Sequence, residues 1–242
     1  MKNAELLQPI LNSEFIILHL FMLYVVATPI GNLDDITVRA SEMLKQCAFV
    51  MAENPHYSKR LLEHIGTGPK EMIQFAEHNE QQILKDVTRR LKKEDGCLIT
   101  DAGTPGISDP GFRLVRECVK ENIAVVPIPG ANAAIAALSA SGLPTDRFLF
   151  LGFLQKTAIK TVEALEAAQQ AEATAIFYES PERIMKTLGF ISNAFPTAQV
   201  VAARELTKMH EEFIRGTPMQ VIDSLKARQS IKGEFTVMVS FK

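Results

Sequence analysis

The sequence has 242 residues, of which 47% are hydrophobic and 22% charged. This composition excludes wholesale disorder, and the length fits one large or two medium domains. Because 26 basic residues are balanced by 28 acidic ones, the net charge of −2 excludes a protein that binds nucleic acid by bulk charge alone, but not one with a locally basic face.

The N-terminal segment is apolar from residue 15 to 27 but is too short for a membrane span of about 20 residues. It also lacks the basic start and the cleavage site of a signal peptide, so no membrane association is predicted. We hypothesise that residues 1–21 are an extension that folding and activity do not require. Met22 directly precedes the first predicted strand and is the alternative start.

In the first half of the chain, apolar strands alternate with amphipathic helices, which predicts a parallel sheet buried on both faces. The predicted strands are 23–27, 49–53, 72–75, 97–100 and 124–128. The predicted helices are 36–46, 57–65, 80–93, 112–121 and 133–139.

A polar stretch with glycine and proline, residues 141–146, predicts a boundary between domains 22–142 and 143–242. The alternation then restarts, so the predicted fold is α/β with two domains. The strands are expected at 148–153, 174–178, 199–203, near Phe213 and at 235–241. The helices are expected at 157–170, from near Pro181 and after Thr217.

The cysteines, Cys47, Cys97 and Cys118, are widely spaced and form no CxxC pair. This spacing argues against a zinc site, a redox motif and a disulfide framework, so no metal is predicted. Cys97 and Cys118 lie in apolar contexts and are expected in the core. The simplest location for such a chain is a reducing cytoplasm.

Glycine- and proline-containing loops follow three of the predicted strands, at 28–32, 101–106 and 127–132. Ligands collect at the carboxyl ends of strands in an open parallel sheet, and glycine lets the backbone approach them closely. The motifs of dinucleotide oxidoreductases, P-loop NTPases, zincin proteases and α/β-hydrolases are absent. Three such loops in one domain therefore predict a ligand site of another kind.

The chain resembles the class III S-adenosylmethionine methyltransferases of the tetrapyrrole methylase type, and more narrowly the bacterial enzymes that methylate cytidine 2′-hydroxyls in small-subunit ribosomal RNA. The resemblance covers about nine-tenths of the chain, and its linked motifs are more specific than any single one. They are LYVVATPIGNLDDIT (23–37), HNEQQ (78–82), TDAGTPGISDPGFRLVR (100–116), VVPIPG (125–130), AAIAALSASGLPTDRF (133–148), FYESPERI (177–184), ARELTKMHEE (203–212) and KGEF (232–235).

This resemblance implies S-adenosylmethionine in a cleft between the two domains, a homodimer, and 16S ribosomal RNA or the assembled 30S subunit as substrate. Asp101 is expected to shape its loop or to contact a polar group of the cofactor. The cofactor contacts implied for this chain are Pro29, Gly31, Asp101, Ala102, Gly103, Thr104, Ile107, Asn132, Ala133, Phe177 and Tyr178.

The chain departs from the family pattern after its second strand, where Asn54-Pro55-His56 replaces the common Asp-Thr-Arg. The loss of an acid and a base there concerns the RNA side of the site more than the methyl donor. Asn132 stands where a small residue is common, and Gln155 replaces a usual proline.

Methyl transfer to a ribose hydroxyl needs alignment of the reactants and benefits from a base or a cation near the oxygen. The predicted catalytic residues are Glu53, Glu205 and Lys208, with Lys208 lowering the hydroxyl pKa and a glutamate orienting the acceptor. The alternative for each is a surface ion pair. Two other functions stay open: a methylase of tetrapyrroles or other small molecules, and a catalytically silent ligand-binding relative.

Overall fold

The computed structural model describes residues 21–242, so residues 1–20 of the hypothesised extension lie outside the described part of the chain. The strands are β1 (Met22–Val26), β2 (Phe49–Ala52), β3 (Glu71–Gln74), β4 (Gly96–Ile99), β5 (Ala124–Ile128), β6 (Phe148–Phe153), β7 (Thr174–Glu179), β8 (Gln199–Arg204), β9 (Glu212–Gly216) and β10 (Phe235–Ser240). The helices are α1 (Val38–Gln46), α2 (Pro55–Ile65), α3 (Glu80–Leu91), α4 (Phe112–Lys120), α5 (Ala133–Ser141), α6 (Ala158–Gln170), α7 (Ile184–Ala194) and α8 (Pro218–Lys226).

The first sheet is parallel throughout, with the order β3-β2-β4-β1-β5. Alternate side chains of β2 enter different cores: Phe49 and Met51 pack with residues of α3 and α4, whereas Val50 and Ala52 pack with residues of α1 and α2. The predicted parallel sheet with two buried faces is confirmed. Its strands end together at one edge, where the loops after β1, β4 and β5 meet.

The second sheet has the order β6-β7-β10-β8-β9, and only its β6–β7 pair is parallel. Helices α6, α7 and α8 contribute to the core on one face, while α5 contributes to the core on the other. The predicted α/β architecture is confirmed. Since α5 precedes the predicted boundary but packs on the second sheet, it connects the two halves; the division between residues 142 and 143 stays a prediction.

Local sequence signals explain where helices begin. Helix α2 starts at Pro55, two residues before the predicted start, because proline suits the first helical position and the Asn54 side chain accepts hydrogen bonds from the backbone N–H groups of His56 and Tyr57. Thr37 caps α1 in the same way. Within residues 21–242, none of the helices has the length and apolar character that a membrane span requires.

Candidate functional site

The loops after β1 and β4 are joined by a short antiparallel bridge between Thr28 and Gly103. Thr28 N–H donates to Gly103 O at 2.8 Å, and Gly103 N–H donates to Thr28 O at 3.0 Å. The buried Thr28 hydroxyl also donates to Thr100 O at 3.0 Å. The bridge fixes the two loops against each other at the carboxyl edge of the first sheet.

The loop after β5 completes this edge. Thr104 Oγ1 donates to Ala131 O at 3.2 Å, which connects the second loop to the third. Asn132 Oδ1 accepts from the backbone N–H of Ile135 at 3.2 Å and so caps α5. The small serine that is common at this position in the family can also cap a helix, so Asn132 keeps the same capping role.

A cavity of about 340 Å³, the main cavity, lies between these loops and the second sheet. Its volume is in the range of small-molecule sites, about 300–1,000 Å³. Its lining residues are Ile30, Ala102, Gly103, Thr104, Ile107, Ser108, Asp109, Asn132, Ala133, Phe153, Tyr178, Glu179, Ser180, Pro181, Leu206, Lys208, Glu234, Phe235 and Thr236.

The main cavity suits a ligand that is partly apolar. Its surface is mostly apolar with a few polar groups, and Ile107 and Phe153 in its wall are 43% and 58% exposed. Gly103 adopts φ +80° and has no protein atom within 3.5 Å of the place where a Cβ would stand, so backbone lies open to the cavity. These residues fit the adenosine and the aliphatic arm of S-adenosylmethionine.

The residues implied as cofactor contacts fall into three groups. Phe177 has a fully buried side chain in the core of the second sheet, so its side chain does not reach a cavity. Pro29, Gly31 and Asp101 line a second, smaller cavity. Those that line the main cavity are Ala102, Gly103, Thr104, Ile107, Asn132, Ala133 and Tyr178.

The second cavity, the small cavity, lies between α2 and the bridged loops and holds about 80 Å³. Its lining residues are Thr28, Pro29, Gly31, Leu33, Tyr57, Ser58, Arg60, Leu61, Thr100 and Asp101. A Cβ on Gly31 would stand 2.6 Å from Lys208 Cγ and 2.9 Å from Leu206 O, so this glycine permits the first loop to contact the loop after β8.

Lys208, in the wall of the main cavity, is held by two carboxylates. Its Nζ lies 2.9 Å from Glu205 Oε1 and 2.9 Å from Glu234 Oε2. Burial alone would lower the pKa of Lys208, but these two partners raise it, so the side chain is a cation and not a base. Glu205 lines neither cavity and contacts the site only through its ion pair with Lys208.

Asp109 is an acidic residue that also lines the main cavity. Burial raises the pKa of Asp109 to about 7, with further contributions from the carboxylates of Glu53 and Asp101, while a hydrogen bond with Thr100 opposes the rise. Glu53 Oε2 accepts from the backbone N–H of Asp101 at 3.4 Å. Glu53 lines neither cavity, but its charge helps to raise the pKa of both Asp101 and Asp109.

Sequence reasoning missed Asp109, although the signal was present: it lies in the SDPG stretch that continues the second glycine loop. It also missed the role of Glu179, which is buried and accepts hydrogen bonds from Ser180 N–H at 2.9 Å and Thr187 Oγ1 at 2.6 Å. Arg183 Nε lies 3.2 Å from Glu179 Oε1. This network positions Ser180 and Pro181 in the cavity wall.

Within residues 21–242, the structure contains no group of three His, Cys, Asp or Glu side chains that could hold a metal ion. The three cysteines are free and buried, as predicted for Cys97 and Cys118.

Comparison with known proteins matches residues 22–221 to the tetrapyrrole (corrin/porphyrin) methylases. A protein named ribosomal RNA small subunit methyltransferase I from Hydrogenobaculum sp. is 47% identical over 221 residues, covering 90% of this chain and 95% of the relative. A protein of the same name from Halalkalibacterium halodurans is 45% identical over 218 residues, covering 90% and 75%. Among solved structures, diphthine synthase superposes with a TM-score of 0.71 at 15% identity, covering 90% of this chain and 89% of that one, which supports the fold.

Proposed function

The chain belongs to the tetrapyrrole (corrin/porphyrin) methylase family, and we propose that it transfers a methyl group from S-adenosylmethionine to the 2′-hydroxyl of a cytidine in small-subunit ribosomal RNA. The observation that carries this proposal is its identity of 45–47% to relatives named ribosomal RNA small subunit methyltransferase I, over about nine-tenths of its length. A cytoplasmic location follows from that substrate.

The main cavity is the site we propose for the methyl donor. When bound, S-adenosylmethionine supplies a methyl group on a sulfonium, a leaving group that needs no acid. Gly103 and Ala133 would approach it with backbone, Ile107 and Tyr178 would cover its apolar parts, and Asn132 begins the helix beside it. Contacts from both halves of the chain would orient the reactants.

The protein's remaining task is to activate the acceptor hydroxyl. Asp109 lines the main cavity and has a pKa of about 7, so at neutral pH an ionised fraction can accept the hydroxyl proton. Lys208, a cation that lines the same cavity, would stabilise negative charge that develops on the oxygen. Glu205 then positions Lys208, and Glu53 contributes to the proton affinity of Asp109.

A homodimer is part of the proposal. Phe112 and Val119, seven residues apart on α4, are each 64% exposed, an apolar surface that a second copy could cover. Light scattering of the purified chain would measure the mass; a monomer at micromolar concentration would contradict this part.

The substrate is tested by offering 30S subunits, free small-subunit ribosomal RNA and a tetrapyrrole with methyl-labelled S-adenosylmethionine. We expect label in the RNA, free or assembled, and none in the tetrapyrrole. Label in the tetrapyrrole alone would support the small-molecule alternative. Cofactor binding by calorimetry without transfer to any of the three would support a silent relative.

A further inference from the structure

The small cavity shares its wall with the main cavity. Adjacent residues of each bridged loop line opposite cavities: Ile30 and Ala102 line the main cavity, whereas Gly31 and Asp101 line the small one. Consecutive Cα atoms are about 3.8 Å apart, so ligands in the two cavities would be separated by little more than one backbone. The two cavities therefore adjoin, with the bridged loops between them.

Two residues that line the small cavity each carry a buried polar atom without a hydrogen-bond partner among the described residues: Ser58 Oγ and Asp101 Oδ1. Ser58 is only 4% exposed. An unsatisfied buried polar group costs about 1–3 kcal/mol and is rare in native proteins. A ligand with complementary groups would satisfy both atoms once the two side chains rotate toward the cavity.

The wall of the small cavity has the chemistry of a nucleotide site. The Tyr57 ring is 55% exposed and can stack on a base, and the exposed Arg60 forms no ion pair with any described residue and can contact a phosphate. The volume of about 80 Å³ is several times the ~10–15 Å³ that a cavity needs to hold one water, so the small cavity admits a group larger than water.

We propose that the small cavity binds the base of the acceptor nucleotide, and that Asp101 and Ser58 select cytosine there; this inference rests on the proposed function. A carboxylate accepts hydrogen bonds from the exocyclic amine of cytosine, whereas it would face the O4 acceptor of uracil and repel it. The Ser58 hydroxyl can donate to the ring N3 or to O2. Asp101 then belongs to the acceptor site and not to the cofactor site.

The test compares cytidine and uridine acceptors. The position that the wild-type enzyme labels is first mapped in 30S subunits, and subunits are then reconstituted with cytidine or uridine at that position. We expect the wild type to prefer cytidine by about 100-fold in kcat/KM, and Asp101→Asn to reduce this preference at least about tenfold, because its amide can donate to O4. Asparagine retains the shape of the side chain.

Ser58→Ala provides a second measurement, since it removes one buried hydroxyl and no packing volume of note. We expect its KM for cytidine-bearing subunits to rise about fivefold while its affinity for S-adenosylmethionine stays within about twofold. Ser224→Ala, an exposed serine on α8, is the matched control.

An unchanged cytidine preference in Asp101→Asn, or an unchanged KM in Ser58→Ala, would overturn this inference while leaving the proposed function standing. If the wild type transferred no label to RNA at all, the proposed function would fail and this inference with it.

Discussion

Replacing Asp109 with asparagine removes its charge at the main cavity and keeps its shape. If Asp109 accepts the hydroxyl proton, the parent rate should rise with pH through about 7, as the carboxyl ionises. Asp109→Asn should lower methyl transfer about 100-fold and abolish this rise. The measurement is kcat between pH 6 and 8.5; a variant that retains the parent pH profile would show that another group titrates.

The same variant tests the environment of Asp109 through stability. Folding raises the pKa of this carboxyl, so its ionisation lowers the free energy of unfolding. This loss of stability begins as pH rises above about 4 and is complete above about 7. Asp109→Asn should therefore raise the free energy of unfolding at pH 8 by roughly 1–2 kcal/mol, an amount reduced by partial exposure, and change it little at pH 4. Denaturant titration at both pH values measures this difference; equal effects would contradict it.

Lys208→Ala tests the cation in the cavity wall. We expect methyl transfer to fall about 10- to 100-fold with cofactor affinity nearly unchanged. Lys208→Arg, which keeps the charge, should recover part of the rate. Lys226→Ala on the exposed side of α8 is the control. Parent-level turnover in Lys208→Ala would remove this residue from the mechanism.

The sequence predicted glycine loops at the strand ends, because a glycine after a buried strand lets the backbone approach a ligand. Lys208 lines the main cavity, and its catalytic role stays a prediction. The sequence could not predict Ser58, which looks like any serine in an amphipathic helix until α2 places it beneath the first loop. The raised pKa of Asp109 could not be predicted for a similar reason, because it depends on burial and on Glu53, which follows another strand.

At the scale of elements, the bridge between the first two loops depends on the backbone of Gly103. There is room for a Cβ at this position, since the nearest atom, Ile30 Cγ2, would be 3.6 Å away. The φ of +80° is nevertheless strained for any β-branched residue. Gly103→Val should weaken S-adenosylmethionine binding at least about tenfold and leave the overall fold intact.

Calorimetry measures that affinity, and circular dichroism checks the fold. Gly189→Val is a control for the added volume, because Gly189 lies in α7 and no atom beyond its neighbouring residues and the helix's own backbone lies within 4 Å of its Cβ position. Undiminished binding by Gly103→Val would show that this loop is not part of the donor site.

The elements themselves were predicted closely, since alternating apolar runs and cap residues are local signals. The pairing in the second sheet was not predicted: β10 joins between β7 and β8 and runs antiparallel to both. Such a pairing depends on contacts between distant segments, which periodicity does not reveal. The packing of α5 on the second sheet has the same origin, because its small apolar residues fit either face.

At the scale of the whole molecule, a basic residue that is already paired with a carboxylate contributes less to RNA binding than an unpaired one. Arg90 pairs with Glu71 and Glu94, and Lys92 pairs with Glu121. Lys59 and Arg60 on α2 are exposed and form no ion pair with described residues. Because Arg60 lines the small cavity, we expect part of the basic face to lie there.

The double variant Lys59→Ala/Arg60→Ala should weaken RNA binding and reduce the slope of log affinity against log salt by about 1–2. The matched double variant Arg89→Ala/Lys92→Ala, whose charges are already paired, should change the slope much less. Filter binding of small-subunit RNA between 50 and 300 mM salt (roughly the range that resolves such slopes) measures both. Equal slopes in the two variants would contradict this placement.

The most direct test of the central claim is the 2′-O-methylation of small-subunit ribosomal RNA in cells that lack this chain. Mass spectrometry of the digested RNA should show the loss of one 2′-O-methylcytidine, which returns when the parent chain is supplied but not when Gly103→Val is supplied. An unchanged set of 2′-O-methylated nucleotides in the deletion strain would contradict the account.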